Sequence, residues 1–361
     1  MTIPQPRPHV GEVDYRRPTI LGVLAAAALT ALVIIGSRNL EHFDSALFGY
    51  TIASIVALGA IVFRYAIWLQ RPATRVYWMR GWRLFRDRKK LFKNTATAAG
   101  TFGKNLIEQR FIFKRGFTRW LTHLLIMWGC IFSALITFPL AFGWAHFKLE
   151  GDRGYKAYVF GFPTATLDGR SALAWLQFHA LDFTALMVIA GCGIAIHRRL
   201  RDRGAIAYQS FLLDFTPHLL LIAISVSGLM LTASSLWFGG YMYSFIALMH
   251  QATVIMTLFY LPFGKLFHVV QRPASIGVEL YQERSQEMEQ AVCPRCGVMF
   301  MGQMWIDDLK SVVSELGFDY RMKNGHTLQD YCPRCKRIMR GLAYSGLPEK
   351  REEVFYGSRE E

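Results

Sequence analysis

The stretch from Tyr243 to Val269 reads Y-S-F-I-A-L-M-H-Q-A-T-V-I-M-T-L-F-Y-L-P-F-G-K-L-F-H-V, and it sets the fold class of the chain. Lys265 is the one charged residue in it, if histidine is counted as neutral. A block of about 20 apolar residues spans the hydrocarbon core of a bilayer. This stretch is therefore predicted to be a transmembrane helix, and it carries two histidines, His250 and His268.

Similar apolar blocks occur along the rest of the chain, which has 361 residues, 52% of them hydrophobic. The predicted spans are Thr19 to Gly36, Ala46 to Leu69, Phe117 to Phe142, Ala172 to Ile196, Phe211 to Leu236 and Tyr243 to Val269. No small-residue cleavage pattern follows the first block, so we expect it to stay in the chain and not to act as a secretory signal. The expected fold is an all-α membrane protein with six transmembrane helices.

The net charge of +15 would suggest nucleic acid on a soluble domain, but here the charge follows the loops between the spans. Residues 70–118 hold thirteen Lys or Arg and two acids, and Arg198, Arg199, Arg201 and Arg203 follow the fourth span. Basic loops stay cytoplasmic. Six spans then place both termini in the cytoplasm, in a multi-pass protein of the inner (plasma) membrane that contacts lipid and no nucleic acid.

Three segments follow from this pattern. Residues 1–116 hold two spans and a basic loop, residues 117–271 hold four spans with short connections, and residues 272–361 form a polar tail. Four antiparallel helices with short loops are expected to pack as a bundle.

Four of the six cysteines form two C-x-x-C pairs in the tail: Cys293 with Cys296, and Cys332 with Cys335. Two such turns can present four thiolates to one tetrahedral metal ion. In a reducing compartment a metal is favoured over disulfides. We expect a zinc-ribbon-like site, with rubredoxin-type iron as the alternative.

Histidines are concentrated in the predicted bundle. His250 and His268 are eighteen residues apart, as are His179 and His197, which on a continuous helix is five turns, about 27 Å along one face. Polar residues at membrane depth are usually functional, and imidazole is a common haem ligand. The spacing suggests helices that ligate two stacked b haems.

The expected depth of each histidine in the membrane limits which histidines can share a haem. The outer layer of the bundle contains His179 and His250. The inner layer contains His268 with three possible partners, of which His123 suits a ligand best because it lies one turn deeper than the basic boundary. The other two are His197, beside two arginines, and His218, in a first helical turn.

Three segments resemble the gamma-subunit family of respiratory nitrate reductase and the related membrane cytochrome b subunits of heterodisulfide reductase type. These are R-G-F-T-R-W-L-T-H-L-L-I-M-W-G (115–129), D-F-T-P-H-L-L-L-I-A-I-S-V-S-G-L-M-L-T (214–232) and H-Q-A-T-V-I-M-T-L-F-Y-L-P-F-G-K-L-F-H-V (250–269). F-R-Y at 63–65 resembles the end of the family's first helix. The likeness covers residues 46–271 and leaves the first span and the cysteine tail outside.

The resemblance implies a four-helix cytochrome b bundle that holds two b haems and passes electrons between quinone and a cytoplasmic iron–sulfur subunit. His123 and His268 match the family's inner ligands and His250 its outer ligand. Ser133 stands where nitrate reductase members carry a further histidine. The outer haem is then absent, or is held by His250 with His179.

Two cations near the inner helix ends, Arg64 and Lys265, either neutralise the propionates of an inner haem or reach to the lipid headgroups. The chain would be the electron-transfer subunit of a quinone-linked oxidoreductase. The alternative is a haem-free membrane anchor or transporter, against which count the lack of an inverted repeat and of an apparent acid in mid-membrane.

Overall fold

The computed structural model describes residues 13–151, 153–202, 204, 207, 209–322 and 324–345. Most of them are helical, and six helices are long and apolar enough to cross a membrane. In chain order the elements are α1 (Arg16–Gly36), α2 (Phe48–Leu69), α3 (Pro72–Phe85), α4 (Leu91–Thr101), α5 (Arg110–Phe113), α6 (Phe117–Ala141), β1 (Ala145–Glu150), β2 (Gly154–Val159), β3 (Phe162–Asp168), α7 (Ala172–Phe178), α8 (Ala180–Arg201), α9 (Thr216–Leu236), α10 (Tyr243–Phe263), α11 (His268–Gln271), α12 (Ser275–Glu287), β4 (Gln290–Val292), β5 (Met299–Gly302), α13 (Gln303–Glu315) and α14 (Pro333–Ser345).

The six membrane-spanning candidates are α1, α2, α6, α8, α9 and α10, which confirms the predicted number of spans. Many of their large apolar side chains are exposed, such as Ile35 at 72% and Leu135 at 65%, as expected for surfaces that contact lipid. Arg203, one of the arginines that follow the fourth predicted span, and both chain ends lie outside the described residues.

The chain forms two compact units. The helical unit comprises residues 14–67 and 100–273, and the cysteine unit comprises residues 68–99 with the described residues from 274 onward. The cysteine tail therefore shares a unit with α3 from the basic loop, an association that the three sequence segments did not include.

The spanning helix of the fourth apolar block begins later than the block suggests, and that of the sixth block ends earlier. The fourth block is broken at His179, which lies between α7 and α8. The sixth block ends as a helix at Phe263, because Gly264 is extended (φ −92°, ψ −169°), and His268 begins the separate α11 after a 3₁₀ turn. The prediction that His250 and His268 lie on one continuous helix was wrong, whereas His179 is the N-cap of α8, the unbroken helix that carries His197.

The connection after α6 contains β-strands, which the predicted all-α fold did not include. Residues 145–168 form a three-stranded antiparallel sheet in the order β1-β2-β3. A second, two-stranded sheet of β4 and β5 lies beside the first cysteine pair. Tight turns with positive φ at Phe160 (φ 50°) and Gly161 (φ 75°) join β2 to β3.

The cysteine unit is held together by contacts between α3 and the tail. The guanidinium of Arg80 donates to both carboxylate oxygens of Asp308 in α13, at 2.7 to 3.1 Å, and the Tyr281 hydroxyl donates to the same carboxylate at 2.7 Å. A bidentate pair of this kind adds geometric specificity to its energy. Gly81 of α3 and Gly277 of α12 meet backbone to backbone, since a Cβ on Gly81 would lie 3.0 Å from the Gly277 Cα.

In the helical unit, α6 and α8 pack closely at two glycines. A Cβ on Gly191 would lie 2.7 Å from a side-chain carbon of Ile126 and 3.0 Å from the carbonyl oxygen of Thr122. Ser133 of α6 donates to the Thr184 hydroxyl of α8 at 2.7 Å, which fixes the register of the pair. Small residues at such contacts let membrane helices approach each other.

This contact predicts the effect of Gly191→Ala. The added methyl meets backbone atoms that cannot rotate away, so we expect the substitution to destabilise the protein by about 1–3 kcal/mol. Gly193→Ala is the matched control, because a Cβ there meets nothing within 4 Å. Thermal unfolding of the detergent-purified variants measures the difference. Equal melting temperatures for the two variants would contradict the close packing of α6 on α8.

Candidate functional site

Two histidine rings face each other where α6 begins. His123 lies in the second turn of α6 and His268 begins α11, and their ring centroids are 6.2 Å apart with the planes inclined at 66°. Two imidazoles that share one metal ion, each through a bond of roughly 2 Å, hold their centroids about 6.3 Å apart. The pair therefore has the separation that a common iron requires.

The second nitrogen of each ring is already occupied. The Nδ1 of His268 lies 2.6 Å from the carbonyl oxygen of Lys265, which can only accept, so Nδ1 carries the proton. The Nδ1 of His123 lies 2.8 Å from Oε1 of Gln109. Metal-bound histidines almost always donate their other ring N–H to such an acceptor, which fixes the tautomer and the ring orientation. Both Nε2 atoms are left as the nitrogens that can ligate.

The other two inner candidates are placed differently. The Nδ1 of His218 donates to the carbonyl of Asp214 at 2.9 Å, and His197 is exposed near the end of α8. Among the ring contacts of the described residues, His268 pairs with His123 and with neither of these.

Both predicted propionate partners lie close to this region but are engaged by protein groups. Arg64 donates to the carbonyl of Pro262 and lies over the ring of Phe267, 4.5 Å from its centroid. Lys265 donates to Asp214, which also accepts from Arg199 at 3.0 Å. Lys265 thus pairs with a carboxylate of the protein itself, whereas Arg64 lies over Phe267, the residue before His268.

His250 lies farther along the bundle, on α10. Its Nδ1 is 2.9 Å from Oγ of Ser227 on α9, and that hydroxyl donates to the carbonyl of Ala223 at 2.7 Å. Ser227 therefore accepts from His250, and Nε2 of His250 is left with its lone pair. The ring of Tyr50 lies 6.4 Å away.

His179 is part of a polar group that the sequence analysis overlooked. Its Nδ1 lies 2.8 Å from Asp182, whose other carboxylate oxygen accepts from Thr232 at 2.7 Å. Asp182 lies within the predicted fourth span, in the first turn of α8. Its side chain is 19% exposed.

The structure does not bring His179 and His250 to one depth. Asp182 is level with Thr232 on α9, whereas His250 is level with Ser227. The five residues between those partners correspond to about 7.5 Å along the helix. His179 precedes Asp182 and lies farther still toward that end of the bundle, so the prediction that the two imidazoles share a depth was wrong.

Three residues of this region were not singled out from sequence. Gln109 and Asp214 precede helices as ordinary polar residues, and nothing in their spacing marks them as partners of His123 or Lys265. Asp182 did carry a signal, an acid three residues after a histidine inside an apolar block.

The cysteine unit contains a second candidate site. The four Sγ atoms of Cys293, Cys296, Cys332 and Cys335 all lie within 4.8 Å of one another, as the two C-x-x-C pairs predicted. The Sγ atoms of Cys296 and Cys332 are 3.7 Å apart. Metal–sulfur bonds of about 2.3 Å in a tetrahedron give sulfur–sulfur distances of about 3.8 Å. The cluster fits one tetrahedral metal ion.

Local structure prepares these thiols for a metal. Gly297 follows the first pair with φ +67°, a left-handed conformation that suits the tight turn around two sulfurs. Burial of Cys293 opposes its ionisation, but backbone N–H groups of Cys332, Cys296 and Arg295 outweigh it and lower its pKa to about 6. A thiolate is the form that binds metal.

No known protein-family model, curated protein or solved structure matches this chain. The resemblance to membrane cytochrome b subunits therefore stays an expectation from sequence, and the haem and quinone roles that it implies are proposals.

The four-cysteine site predicts about one zinc ion per chain by elemental analysis of the full-length protein in detergent, because four thiolates complete a structural zinc site. Cys335→Ser should reduce the zinc to near zero. Cys130→Ser, which changes a single cysteine of α6, is the control and should leave it unchanged.

About one non-haem iron per chain, lost in Cys335→Ser, would replace the zinc assignment by a rubredoxin-type centre. Absence of both zinc and non-haem iron from the parent protein would contradict the site itself.

Proposed function

We propose that this chain is a membrane cytochrome b subunit that passes electrons between the quinone pool and a soluble iron–sulfur protein on the cytoplasmic side. The observation that carries the proposal is the His123–His268 pair, with its 6.2 Å centroid separation and both Nδ1 atoms held by oxygen acceptors. If the two histidines were in contact by chance, there would be no reason for both rings to have Nδ1 occupied and Nε2 left to ligate.

A b haem bound between these rings would supply one-electron redox chemistry. The residues of the chain would supply its position and surroundings. His123 and His268 would hold the haem, Gln109 and the Lys265 carbonyl would fix their rings, and Arg64, which lies over the Phe267 ring, is the cation proposed to face a haem carboxylate. Both axial imidazoles have neutral acceptors, so neither is driven toward the imidazolate.

The quinone site is proposed at the opposite end of the bundle, on the predicted outer side. His179, Asp182 and Thr232 form a connected polar group there, with the Trp175 ring 4.9 Å from that of His179. A neutral imidazole that donates Nδ1–H to a carboxylate keeps a basic Nε2, which can accept a hydroxyl proton from a quinol. His250, with its own basic Nε2, lies nearer the middle of the bundle.

A haem-free transporter is the second candidate, and Asp182 is the observation that favours it. Intramembrane acids that pair with a neighbour are common in proton and ion pathways. A reduced-minus-oxidised absorbance spectrum of the purified protein separates the two functions, because only the cytochrome gives a b-type α band.

The first prediction of the proposal concerns the axial pair. We expect His268→Ala and His123→Ala each to abolish the low-spin b signal, since one remaining imidazole cannot hold a six-coordinate low-spin iron. His197→Ala and His218→Ala are matched controls from the same end of the bundle and should retain it. An unchanged spectrum in His268→Ala, or loss only in His218→Ala, would refute the pair.

The second prediction concerns the number of haems. Because His179 and His250 lie at different depths, we expect one haem per chain by pyridine haemochrome assay, unchanged in His179→Ala. Quinol-dependent haem reduction should instead fall in that variant by about 100-fold or more, the usual loss on removing a general base. Two haems in the parent, falling to one in His179→Ala, would instead support an outer haem held by His179 and His250.

A further inference from the structure

Gln109 is a buried glutamine in an unusual backbone conformation beside the axial pair. It is 2% exposed, and its backbone is left-handed (φ 54°, ψ 43°). A residue other than glycine held in this region costs on the order of 1 kcal/mol and is often found at functional sites. The conformation places Gln109 immediately before α5, where its carbonyl accepts from the N–H groups of Ile112 and Phe113 at 2.9 and 3.2 Å.

The side chain of Gln109 reaches α6 at two points. Its Oε1 lies 2.8 Å from Nδ1 of His123, and its amide nitrogen points to the sulfur of Met127. His123 and Met127 are four residues apart and lie on one face of α6. Because the thioether is an acceptor only, it takes the amide N–H and leaves the amide oxygen for the imidazole.

The orientation of this amide decides the tautomer of His123. When Oε1 faces Nδ1, the ring carries its proton on Nδ1 and keeps a lone pair on Nε2. If the amide were reversed, its NH₂ group would donate to Nδ1 and the proton would move to Nε2, which could then no longer bind a metal.

We propose that Gln109 is the positioning residue of the axial pair: its backbone turn and its amide hold His123 in the ligating tautomer and keep that ligand neutral. This inference rests on the proposed function and deepens it, because it assigns control of the haem potential to a residue outside the axial pair. A carboxylate at this position would draw the Nδ1 proton and make the ligand more basic, which stabilises the ferric state.

The decisive variant is Gln109→Glu, studied in the full-length purified protein by redox titration. We expect haem content equal to that of the parent and a lower midpoint potential. The reduction equilibrium should shift at least tenfold, which is about 59 mV for one electron. The midpoint should rise toward the parent's value as the pH is lowered and the glutamate is protonated. Gln282→Glu, the same change at an exposed position of α12, is the control and should leave the midpoint unchanged.

Gln109→Gly separates the backbone from the side chain. Glycine adopts positive φ without strain, so the turn is kept while the acceptor is lost. We expect a shifted or broadened low-spin electron paramagnetic resonance signal, because the His123 ring is free to rotate. If Gln109→Glu fails to fold, the Gln109→Gly variant still tests the positioning role of Gln109.

The outcomes distinguish this inference from the proposed function. A parent protein without haem overturns the proposed function. A parent with haem whose Gln109→Glu variant keeps the same midpoint and pH dependence, or whose Gln109→Gly variant keeps the parent's resonance signal, overturns the positioning role alone.

Discussion

Backbone polar groups inside a bilayer must find their hydrogen bonds within the protein, and this constraint shapes the region around His123 and His268. The last spanning helix ends at Phe263, so the carbonyl of Pro262 has no helical partner and accepts instead from Arg64. The carbonyl of Lys265, in the short turn that follows, accepts from Nδ1 of His268. The turn that follows the break thus brings the His268 ring onto the Lys265 carbonyl, which also accepts from the backbone N–H of His268.

The same logic explains which features could be predicted from sequence. Transmembrane segments are set by the length of apolar blocks, and the cysteine site by two short spacings, so both followed from local patterns. The break at Gly264 did not, because glycine and proline are common in continuous membrane helices and only the contact with Arg64 decides between a kink and an end. The sheet of residues 145–168 was missed because the connection between the third and fourth predicted spans was judged by its balanced charge alone.

Partners that are distant in sequence were the least predictable part of the candidate site. Gln109 and His123 are fourteen residues apart across a short helix, and Ser227 meets His250 from a neighbouring span. These contacts depend on how the helices pack. Side-chain type alone therefore indicates the ligands and not the groups that orient them, although the orienting groups decide which nitrogen of each imidazole faces the interior of the bundle.

The pairing of Arg80 with Asp308 has a consequence for the order in which the chain is assembled. The two residues are 228 positions apart, and the four spanning helices α6, α8, α9 and α10 are synthesised between them. At about 5–20 residues per second the ribosome needs roughly 10–45 s to cover that distance. During this interval α3 has neither Asp308 nor Gly277 to pack against, so the cysteine unit is completed only after the last span has been made. A metal ion bound by the four cysteines would therefore enter its site late in synthesis, after the last spanning helix has been made.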